Sequence, residues 1–206
     1  MFERLQALIG LGIDKNSLTY KLKQWKVDTS WTLFLDRDGV INRKLAGAYV
    51  RHWGEFEFLA GVLDSIPLLM RYFGRIVVVT NQQGIGKDLM NHEDLHDIFS
   101  QLQQAVIQAG GKIDCFYYCP HLASQQCACR KPNTGMGFQA KSDFNDIIFT
   151  KSVMVGDSDS DIIFGQKLGM KTVRISPVGA NDHSPEANVT VASLQVFTRA
   201  LAGIEV

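Results

Sequence analysis

The sequence lacks three features that would each point to a class of function. It has no net charge, because 21 Lys and Arg residues balance 21 Asp and Glu residues in a chain of 206, and this argues against a nucleic-acid footprint or an electrostatic membrane anchor. It has no apolar run of about 18 residues, the length that spans a bilayer. Its N-terminus lacks the basic-then-apolar order of a secretory signal. We expect a cytoplasmic protein that works without nucleic acid or membrane, and we treat it as a monomer.

Cysteine is scarce and unevenly placed. All four cysteines, Cys115, Cys119, Cys127 and Cys129, fall within fifteen residues, whereas a disulfide framework would be spread along a shorter, secreted chain. The pattern Cys119-x-His121-x5-Cys127-x-Cys129 supplies three thiolates and one imidazole, which is a donor set of tetrahedral zinc sites. Four protein ligands leave no open position, so we expect this zinc to be structural. Cys115 is left over and is predicted to be a core residue.

Hydrophobic residues make up 46% of the chain, enough for the core of one domain. Apolar runs alternate with helical patterns, which is typical of a parallel sheet covered by helices on both faces. Strands are predicted over Thr32–Asp36, Ile76–Thr80, Ile113–Tyr118, Lys151–Gly156 and Thr172–Ile175, and helices over Gly61–Phe73, Asn91–Ala109, Gly135–Phe144, Ser160–Leu168 and Ala192–Ala202. The predicted fold is α/β and Rossmann-like, with a mainly parallel sheet sandwiched by helices.

Two stretches do not fit this alternation of strands and helices. Residues 1–30 are predicted to form an N-terminal helical extension of one or two short helices, which leaves residues 31–206 as the main domain. Pro177–Asn188 is rich in turn residues and is predicted to be a surface loop.

The first predicted strand ends in two carboxylates, Asp36 and Asp38, that are one residue apart. In an extended chain they point the same way, and two like charges this close are costly unless a cation lies between them. Mg²⁺ prefers such hard oxygen ligands. Asp157 follows another predicted strand and could complete the magnesium site. Asp161, four residues later on the same side of a helix, could support it.

Groups that suit a phosphate follow the second predicted strand. Thr80, Asn81, Gln82 and Gln83 offer a hydroxyl, side-chain amides and backbone N–H groups. Lys131 can neutralise both a nucleophilic carboxylate and a phosphoryl group. Together with the acidic strand ends, these residues predict transfer of a phosphoryl group from a phosphate ester to an aspartate.

Two further residues are candidates for substrate contacts. Arg130 precedes Lys131 and is suited to a second anionic group of the substrate. Tyr49 belongs to the segment Lys44–Arg51, which follows the first acidic motif and should overhang the site. The predicted substrate-binding set therefore includes both residues together with the amides after the second strand.

The order of the motifs, Asp36-x-Asp38-Gly39, then Thr80, Lys131 and Gly156-Asp157-x3-Asp161, resembles the haloacid dehalogenase (HAD) superfamily of aspartate-nucleophile hydrolases. The resemblance covers about Thr32 to Ile175 and identifies residues 31–206 as a HAD-like phosphatase domain. It implies that Asp36 is the nucleophile and a magnesium ligand, and that Asp38 is the general acid and base and also offers its backbone carbonyl to the ion. It further implies that Thr80 and Lys131 hold the phosphoryl group, that Asp157 is a magnesium ligand and that Asp161 is its structural companion.

The cysteine–histidine loop narrows the resemblance to two branches. Asp36–Asn42, Thr80–Ile85, the loop with Arg130-Lys131-Pro132, and Gly135-Met136 occur together in the D-glycero-D-manno-heptose-1,7-bisphosphate phosphatases, which are nearly capless. The short stretch between the first two motifs agrees with the absence of a large cap domain. Ser158 stands where these enzymes often carry a lysine that contacts substrate, so the resemblance adds Ser158 to the predicted substrate-binding residues. Thr134 stands where these enzymes usually carry proline. The histidinol-phosphate phosphatases share the zinc loop, and the spacer Leu122–Gln126 resembles theirs more closely.

The resemblance implies a Mg²⁺-dependent phosphomonoester hydrolase with an aspartyl-phosphate intermediate and a structural Zn²⁺. The expected partner is a small phosphorylated sugar or a related metabolite, and the expected reaction removes the 7-phosphate of D-glycero-D-manno-heptose 1,7-bisphosphate. Histidinol phosphate is the alternative substrate. A different class is a non-catalytic, zinc-stabilised interaction module that uses residues 1–30. Action on nucleic-acid ends is disfavoured by the balanced charge.

Overall fold

The computed structural model of the protein describes residues 17–176 and 185–204. Its helices are α1 (Leu18–Lys23), α2 (Val62–Leu69), α3 (His92–Gln108), α4 (Gly135–Asp143), α5 (Asp159–Lys167) and α6 (Leu194–Leu201). Its strands are β1 (Thr32–Leu35), β2 (Arg75–Asn81), β3 (Cys115–Cys119), β4 (Ser152–Gly156), β5 (Lys171–Ile175) and β6 (Val189–Val191). Short 3-10 helices occupy Trp53–Glu55, Ala123–Gln125 and Phe149–Lys151. None of the helices in these two ranges is long and apolar enough to cross a membrane.

In the part of the chain that the structure describes, six strands form one sheet in the order β3-β2-β1-β4-β5-β6, and every neighbouring pair is parallel. Successive side chains of a strand point to opposite faces. Leu33 of β1 therefore joins the core with Ile66 of α2 and Phe197 of α6, whereas Phe34 packs with Phe164 of α5 on the other face. The predicted parallel sheet between two layers of helices is confirmed.

The strand order determines where the functional residues meet. β1 lies between β2 and β4. The sheet therefore grows from β1 toward one edge through β2 and β3, and toward the other edge through β4, β5 and β6. In sheets of this kind, ligands bind beyond the carboxyl ends of the strands, where the order reverses. Asp36 directly follows β1, Thr80 lies near the end of β2, and Asp157 directly follows β4.

The structure differs most from the sequence-based prediction at two elements, while other bounds shift by one or two residues. β6 was not predicted, because Val-Thr-Val offers only two apolar side chains to mark a strand. α2 ends at Leu69 instead of Phe73, and Pro67 lies inside it, where its missing N–H cannot bond to the preceding turn. Of the predicted loop Pro177–Asn188, residues 177–184 lie outside the described residues.

The predicted N-terminal extension is described only from residue 17, and residues 1–16 lie outside the described ranges. Ser17 caps α1, because its Oγ accepts a hydrogen bond from the backbone N–H of Tyr20 at 3.2 Å. Leu22 of α1 is buried in the same core cluster as Leu201 of α6, and Trp25 packs against that cluster. The domain boundary at residue 30 stays a prediction.

Candidate active site

A cavity of about 420 Å³ opens at the carboxyl ends of the central strands. It brings together residues from five separate segments of the chain, including nearly all of those predicted from the sequence. Among the residues that line it are Asp36, Asp38, Lys44, Tyr49, Thr80, Asn81, Gln83, Lys87, Arg130, Lys131, Asp157, Ser158 and Asp161. The prediction that the segment Lys44–Arg51 overhangs the site agrees with this lining.

Asp36 and Lys131 form a buried ion pair in this cavity. Lys131 Nζ donates hydrogen bonds to Asp36 Oδ1 at 2.8 Å and to the Val79 carbonyl at 2.7 Å, and it lies 2.5 Å from Asp161 Oδ1. Burial raises the pKa of Asp36 to about 7, against the opposing effect of Lys131. Burial acts to lower the pKa of Lys131, but Asp161 and Asp36 outweigh it and raise that pKa. Lys131 is therefore a fixed positive charge beside the predicted nucleophile.

Three carboxylates crowd together around this lysine. Asp36, Asp157 and Asp161 each place an oxygen within 4.8 Å of the other two. Two glycines make room for them, since a Cβ at Gly39, whose φ is +88°, would collide with Asp157, and a Cβ at Gly156 would collide with Asp161. Burial raises the pKa of Asp157, although Lys44 acts in the opposite direction. The close approach of these carboxylates therefore requires glycine at both positions.

This carboxylate cluster fits a hard divalent cation. Within the described ranges, Asp157 Oδ1 is buried and has no hydrogen-bond partner. An unpaired buried carboxylate oxygen is costly, and Mg²⁺ prefers carboxylate oxygens. The other oxygen of Asp157, Oδ2, accepts a hydrogen bond from Lys44 Nζ at 2.7 Å. Asp36 and Asp157 are therefore the side chains best placed to hold the ion.

Asp38 is enclosed by three hydrogen-bond donors. Its Oδ1 accepts from Arg37 Nη2 at 2.8 Å and from Asn42 Nδ2 at 2.9 Å. Its Oδ2 accepts from Arg37 Nη2 at 2.9 Å and from Gln82 Nε2 at 2.8 Å. Burial acts to raise the pKa of Asp38, but the arginine and the two amides outweigh it and lower the pKa. In this arrangement Asp38 is held as a carboxylate.

Gln82 corrects the sequence-based prediction of a substrate contact. Its side chain is buried and lies outside the lining of the cavity. Its Nε2 donates to Thr80 Oγ1 at 2.8 Å as well as to Asp38. The Gln82 amide therefore holds Asp38 and Thr80 from the side away from the cavity, and it does not face a substrate.

Asn81 connects the end of β2 to the backbone of Lys131. Its Nδ2 donates to the Lys131 carbonyl at 3.1 Å, and its Oδ1 accepts from the Lys131 N–H at 3.0 Å. A side-chain amide that pairs with both polar groups of one residue fixes the direction of that backbone. Asn81 lines the cavity, but its strongest observed contacts position the lysine.

The remaining predicted substrate contacts line the cavity with polar groups. Gln83 Nε2 donates to the Tyr49 hydroxyl at 2.7 Å, and Lys87 Nζ lies 5.2 Å from the centroid of the Tyr49 ring. Ser158 caps α5, and its Oγ donates to Asp161 Oδ2 at 2.6 Å. Tyr49 and Gln83 thus form a hydrogen-bonded wall, while Ser158 holds Asp161 in place.

The four predicted zinc ligands come together at the end of β3 and in the loop that follows it. The Sγ atoms of Cys119, Cys127 and Cys129 lie 3.1, 3.3 and 3.4 Å apart in their three pairs, and His121 Nδ1 lies 3.2 Å from Cys129 Sγ. Three sulfurs and one imidazole nitrogen are the soft donors of closed zinc sites. The cluster is a possible metal centre in which the protein supplies all four donors. Cys115 is half-buried and packs against the neighbouring core.

The residues that follow this cluster connect it to Lys131. Arg130 follows Cys129 directly, and its Nη1 donates to the His121 carbonyl at 3.4 Å. Asn133 Nδ2 donates to the Cys127 carbonyl at 2.8 Å. The cysteine–histidine cluster is therefore continuous with the segment that carries Lys131.

Sequence reasoning gave no role to two residues of this site. Arg37 is completely buried behind Asp38, although an arginine between two aspartates reads as an exposed charge. Lys44 contacts Asp157, which is 113 positions away in the chain. The only available signal for Lys44 was its membership of the overhanging segment.

Several known proteins are similar to this chain in sequence. A HAD-hydrolase-like family model matches residues 128–188, a stretch that includes Lys131 and Asp157. A D-glycero-alpha-D-manno-heptose-1,7-bisphosphate 7-phosphatase of Mycobacterium tuberculosis is 46% identical over 132 residues, covering 64% of this chain and 70% of the relative. A D-glycero-beta-D-manno-heptose-1,7-bisphosphate 7-phosphatase of Vibrio cholerae is 36% identical over 147 residues, covering 68% and 77%.

The fold is also found among solved structures. The D,D-heptose 1,7-bisphosphate phosphatase from B. bronchiseptica, complexed with magnesium and phosphate, superposes with a TM-score of 0.76 at 28% identity, covering 84% of this chain and 98% of that one. The corresponding protein from Burkholderia thailandensis gives a TM-score of 0.60 at 28% identity, covering 82% and 96%.

Proposed function

This chain belongs to the D-glycero-D-manno-heptose-1,7-bisphosphate 7-phosphatase family of HAD-like hydrolases. On this premise, we propose that it removes the 7-phosphate of D-glycero-D-manno-heptose 1,7-bisphosphate. Membership of this family identifies the chain as a phosphatase. The names of the relatives support the heptose over histidinol phosphate. The α-anomer is favoured, because the relative named for it is 46% identical, against 36% and 32% for two named for the β-anomer.

One observation supports the chemistry above all others. Asp36 is a nearly buried carboxylate at the end of the central strand, it lines the cavity, and Lys131 Nζ holds its Oδ1 at 2.8 Å. A carboxylate beside a fixed positive charge can accept a phosphoryl group whose own charge the lysine then offsets. We assign Asp36 as the nucleophile.

The proposed site includes Mg²⁺, held by Asp36, Asp157 and the backbone carbonyl of Asp38. A bound Mg²⁺ would favour the ionised form of Asp36 and offset charge on the phosphoryl oxygens. Asp161 keeps its place by pairing with Lys131 and accepting from Ser158. The carboxylates that surround the reacting group are thereby fixed before substrate arrives.

In the first proposed step, a carboxylate oxygen of Asp36 attacks phosphorus and the bond from phosphorus to the sugar oxygen breaks. Asp38 gives a proton to that oxygen, so the sugar leaves as an alcohol and Asp36 carries the phosphoryl group. Lys131 and Thr80 stabilise the phosphoryl oxygens. Asp38 is a carboxylate in the resting arrangement, in which both of its oxygens face donors, so before this step it has to turn away from Arg37 and take up a proton from solvent.

In the second proposed step, Asp38 takes a proton from a water molecule that attacks the same phosphorus. The bond between phosphorus and the Asp36 oxygen breaks, which regenerates the carboxylate and releases inorganic phosphate. Arg130 binds the second phosphate of the sugar, and Tyr49, Gln83, Asn81 and Ser158 line the space around its hydroxyl groups. Gln82 acts from behind by holding Asp38 and Thr80.

We further propose that Cys119, His121, Cys127 and Cys129 hold a structural Zn²⁺, because the four donors already lie together and match the preference of that ion. The proposed setting is the cytoplasm, where a monomer acts on a free sugar phosphate without nucleic acid or membrane. The equal numbers of basic and acidic residues support the expectation that neither nucleic acid nor a charged membrane surface is a partner.

A comparison of candidate substrates tests the proposed reaction. The values of kcat/KM would be measured with the α- and β-anomers of heptose 1,7-bisphosphate, histidinol phosphate and fructose 1,6-bisphosphate, with phosphate release as the readout. We expect the α-heptose bisphosphate to give the highest value. A higher value for histidinol phosphate would overturn the proposed substrate while leaving the phosphatase chemistry intact.

A further inference from the structure

Lys44 carries a positive charge into the carboxylate cluster from a loop outside the sheet. Its Nζ donates to Asp157 Oδ2 at 2.7 Å, and its side chain is about half exposed, whereas that of Asp157 is mostly buried. Lys131 is the opposite case, since its side chain is almost fully buried and has three partners, Asp36, Asp161 and the Val79 carbonyl. The cluster thus has one permanent ammonium group and one that solvent can reach.

The charges of the cluster explain why Lys44 is there. Three carboxylates, Asp36, Asp157 and Asp161, lie together, and Lys131 offsets only part of their charge. Lys44 offsets more of it by occupying an oxygen of Asp157, whose other oxygen is buried without a partner among the residues described. A divalent cation at Asp157 would provide that charge more effectively, because carboxylate oxygens are its preferred ligands.

A partly exposed ion pair is weak and easily exchanged. Lys44 lines the same cavity as Asp36 and Lys131, so an ammonium group released from Asp157 remains beside the place where a phosphoryl group has to lie. A primary ammonium group with free N–H donors binds phosphate oxygens through charge-assisted hydrogen bonds.

We propose that Lys44 is a cation-exchange residue, which holds Asp157 while the divalent ion is absent and moves to the phosphoryl group of the substrate once the ion takes Asp157. This inference rests on the proposed aspartate chemistry of the site and adds a phosphate-binding residue to it. It also makes Lys44 a competitor of the cation. Removing the lysine should therefore strengthen metal binding and weaken phosphate binding, two effects of opposite direction.

Calorimetric titration of the purified full chain with MgCl₂, after dialysis against Mg²⁺-free buffer that leaves the zinc in place, tests the first effect. For Lys44→Gln we expect Mg²⁺ to bind about threefold more tightly than to the wild type, since the exposed ion pair no longer has to be broken. Lys44→Arg keeps the charge and should stay near the wild type. Lys87→Gln is the matched control, because Lys87 lines the same cavity but lies over Tyr49, and it should leave Mg²⁺ affinity unchanged.

Titration with inorganic phosphate at saturating Mg²⁺ tests the second effect. Lys44→Gln should bind phosphate about fivefold more weakly, and Lys44→Arg should restore most of the affinity. The proposal is overturned if Mg²⁺ affinity is unchanged or lower in Lys44→Gln, or if phosphate affinity is unchanged. Both probes are inorganic, so a failed substrate assignment in the kinetic comparison would leave this result unaffected.

Discussion

The protein builds two clusters of metal-ligating side chains at the same edge of its sheet, and they differ in chemistry and in access. The carboxylate cluster of Asp36, Asp157 and Asp161 offers hard oxygen donors at a cavity of about 420 Å³. The cysteine–histidine cluster offers three sulfurs and one nitrogen, so its four donors would complete a tetrahedral zinc site. The first arrangement leaves room for a reacting group, and the second does not.

One short segment, from Cys129 to Lys131, belongs to both clusters. The cysteine–histidine cluster ends at Cys129, and Lys131, two residues later, extends its ammonium group into the carboxylate cluster. Asn81 and Asn133 connect the two by hydrogen bonds to the Lys131 backbone and to the Cys127 carbonyl. With zinc bound as proposed, the cysteine–histidine cluster would fix the segment that carries Lys131 without competing for the ligands of the carboxylate cluster.

The largest expected effect separates chemistry from stability in the carboxylate cluster. Asp36→Asn keeps the shape of the side chain but removes the nucleophilic carboxylate, so phosphate release should fall by at least about a thousandfold. The Tm should stay within a few degrees, because Lys131 keeps its ion pair with Asp161. Phosphate release and thermal unfolding are the two measurements. Asp64→Asn, on the exposed surface of α2, is the control, and turnover by Asp36→Asn near the wild-type rate would contradict the assignment.

The second prediction concerns the cysteine–histidine cluster, where we expect a substitution to lower stability directly. Cys127→Ser should lower zinc content and should lower the Tm by roughly 5–10 °C, because metal binding contributes to folding stability. Zinc is measured by atomic absorption and the Tm by calorimetry. Cys115→Ser is the matched control, since Cys115 lies outside the cluster, and it should retain zinc. A zinc-free Cys127→Ser protein with an unchanged Tm would show that the cluster is not a structural metal site.

The smallest effect concerns the connection between the two clusters. Asn81→Ala removes both hydrogen bonds to the Lys131 backbone, and we expect kcat to fall roughly tenfold through misplacement of the ammonium group. Zinc content should be unchanged, which distinguishes this variant from Cys127→Ser. Asn133→Ala, which loses the bond to the Cys127 carbonyl, should have a smaller effect on kcat. Equal losses of kcat in the two variants would argue against a specific role for Asn81.

The sequence predicted the parts of the site that depend on strand ends. Asp36, Thr80 and Asp157 follow or end apolar runs, and parallel strands bring their carboxyl ends to one edge, so their meeting could be foreseen. The clustering of Cys119, His121, Cys127 and Cys129 could be foreseen as well, because four suitable donors lie within eleven residues of the chain. The fold class followed from the alternation of apolar runs and helical patterns.

Other features depend on side-chain direction, which the sequence pattern does not contain. Gln82 and Gln83 are adjacent and chemically identical, yet one supports Asp38 from behind and the other faces the cavity beside Tyr49. Neighbouring residues at a strand end point to opposite sides, but the pattern alone does not say which side is the cavity. Arg37 is a second example, since its side chain is buried and its Nη2 donates to both oxygens of Asp38, the next residue in the chain.

The double attachment of Lys131 has a consequence for how this protein can change its loops. The lysine is fastened at its tip to the Val79 carbonyl and at its backbone to Asn81, and both anchors belong to β2 rather than to the loop that precedes the lysine. Lengthening or shortening the spacer Leu122–Gln126 should therefore leave the ammonium group of Lys131 in its place beside Asp36.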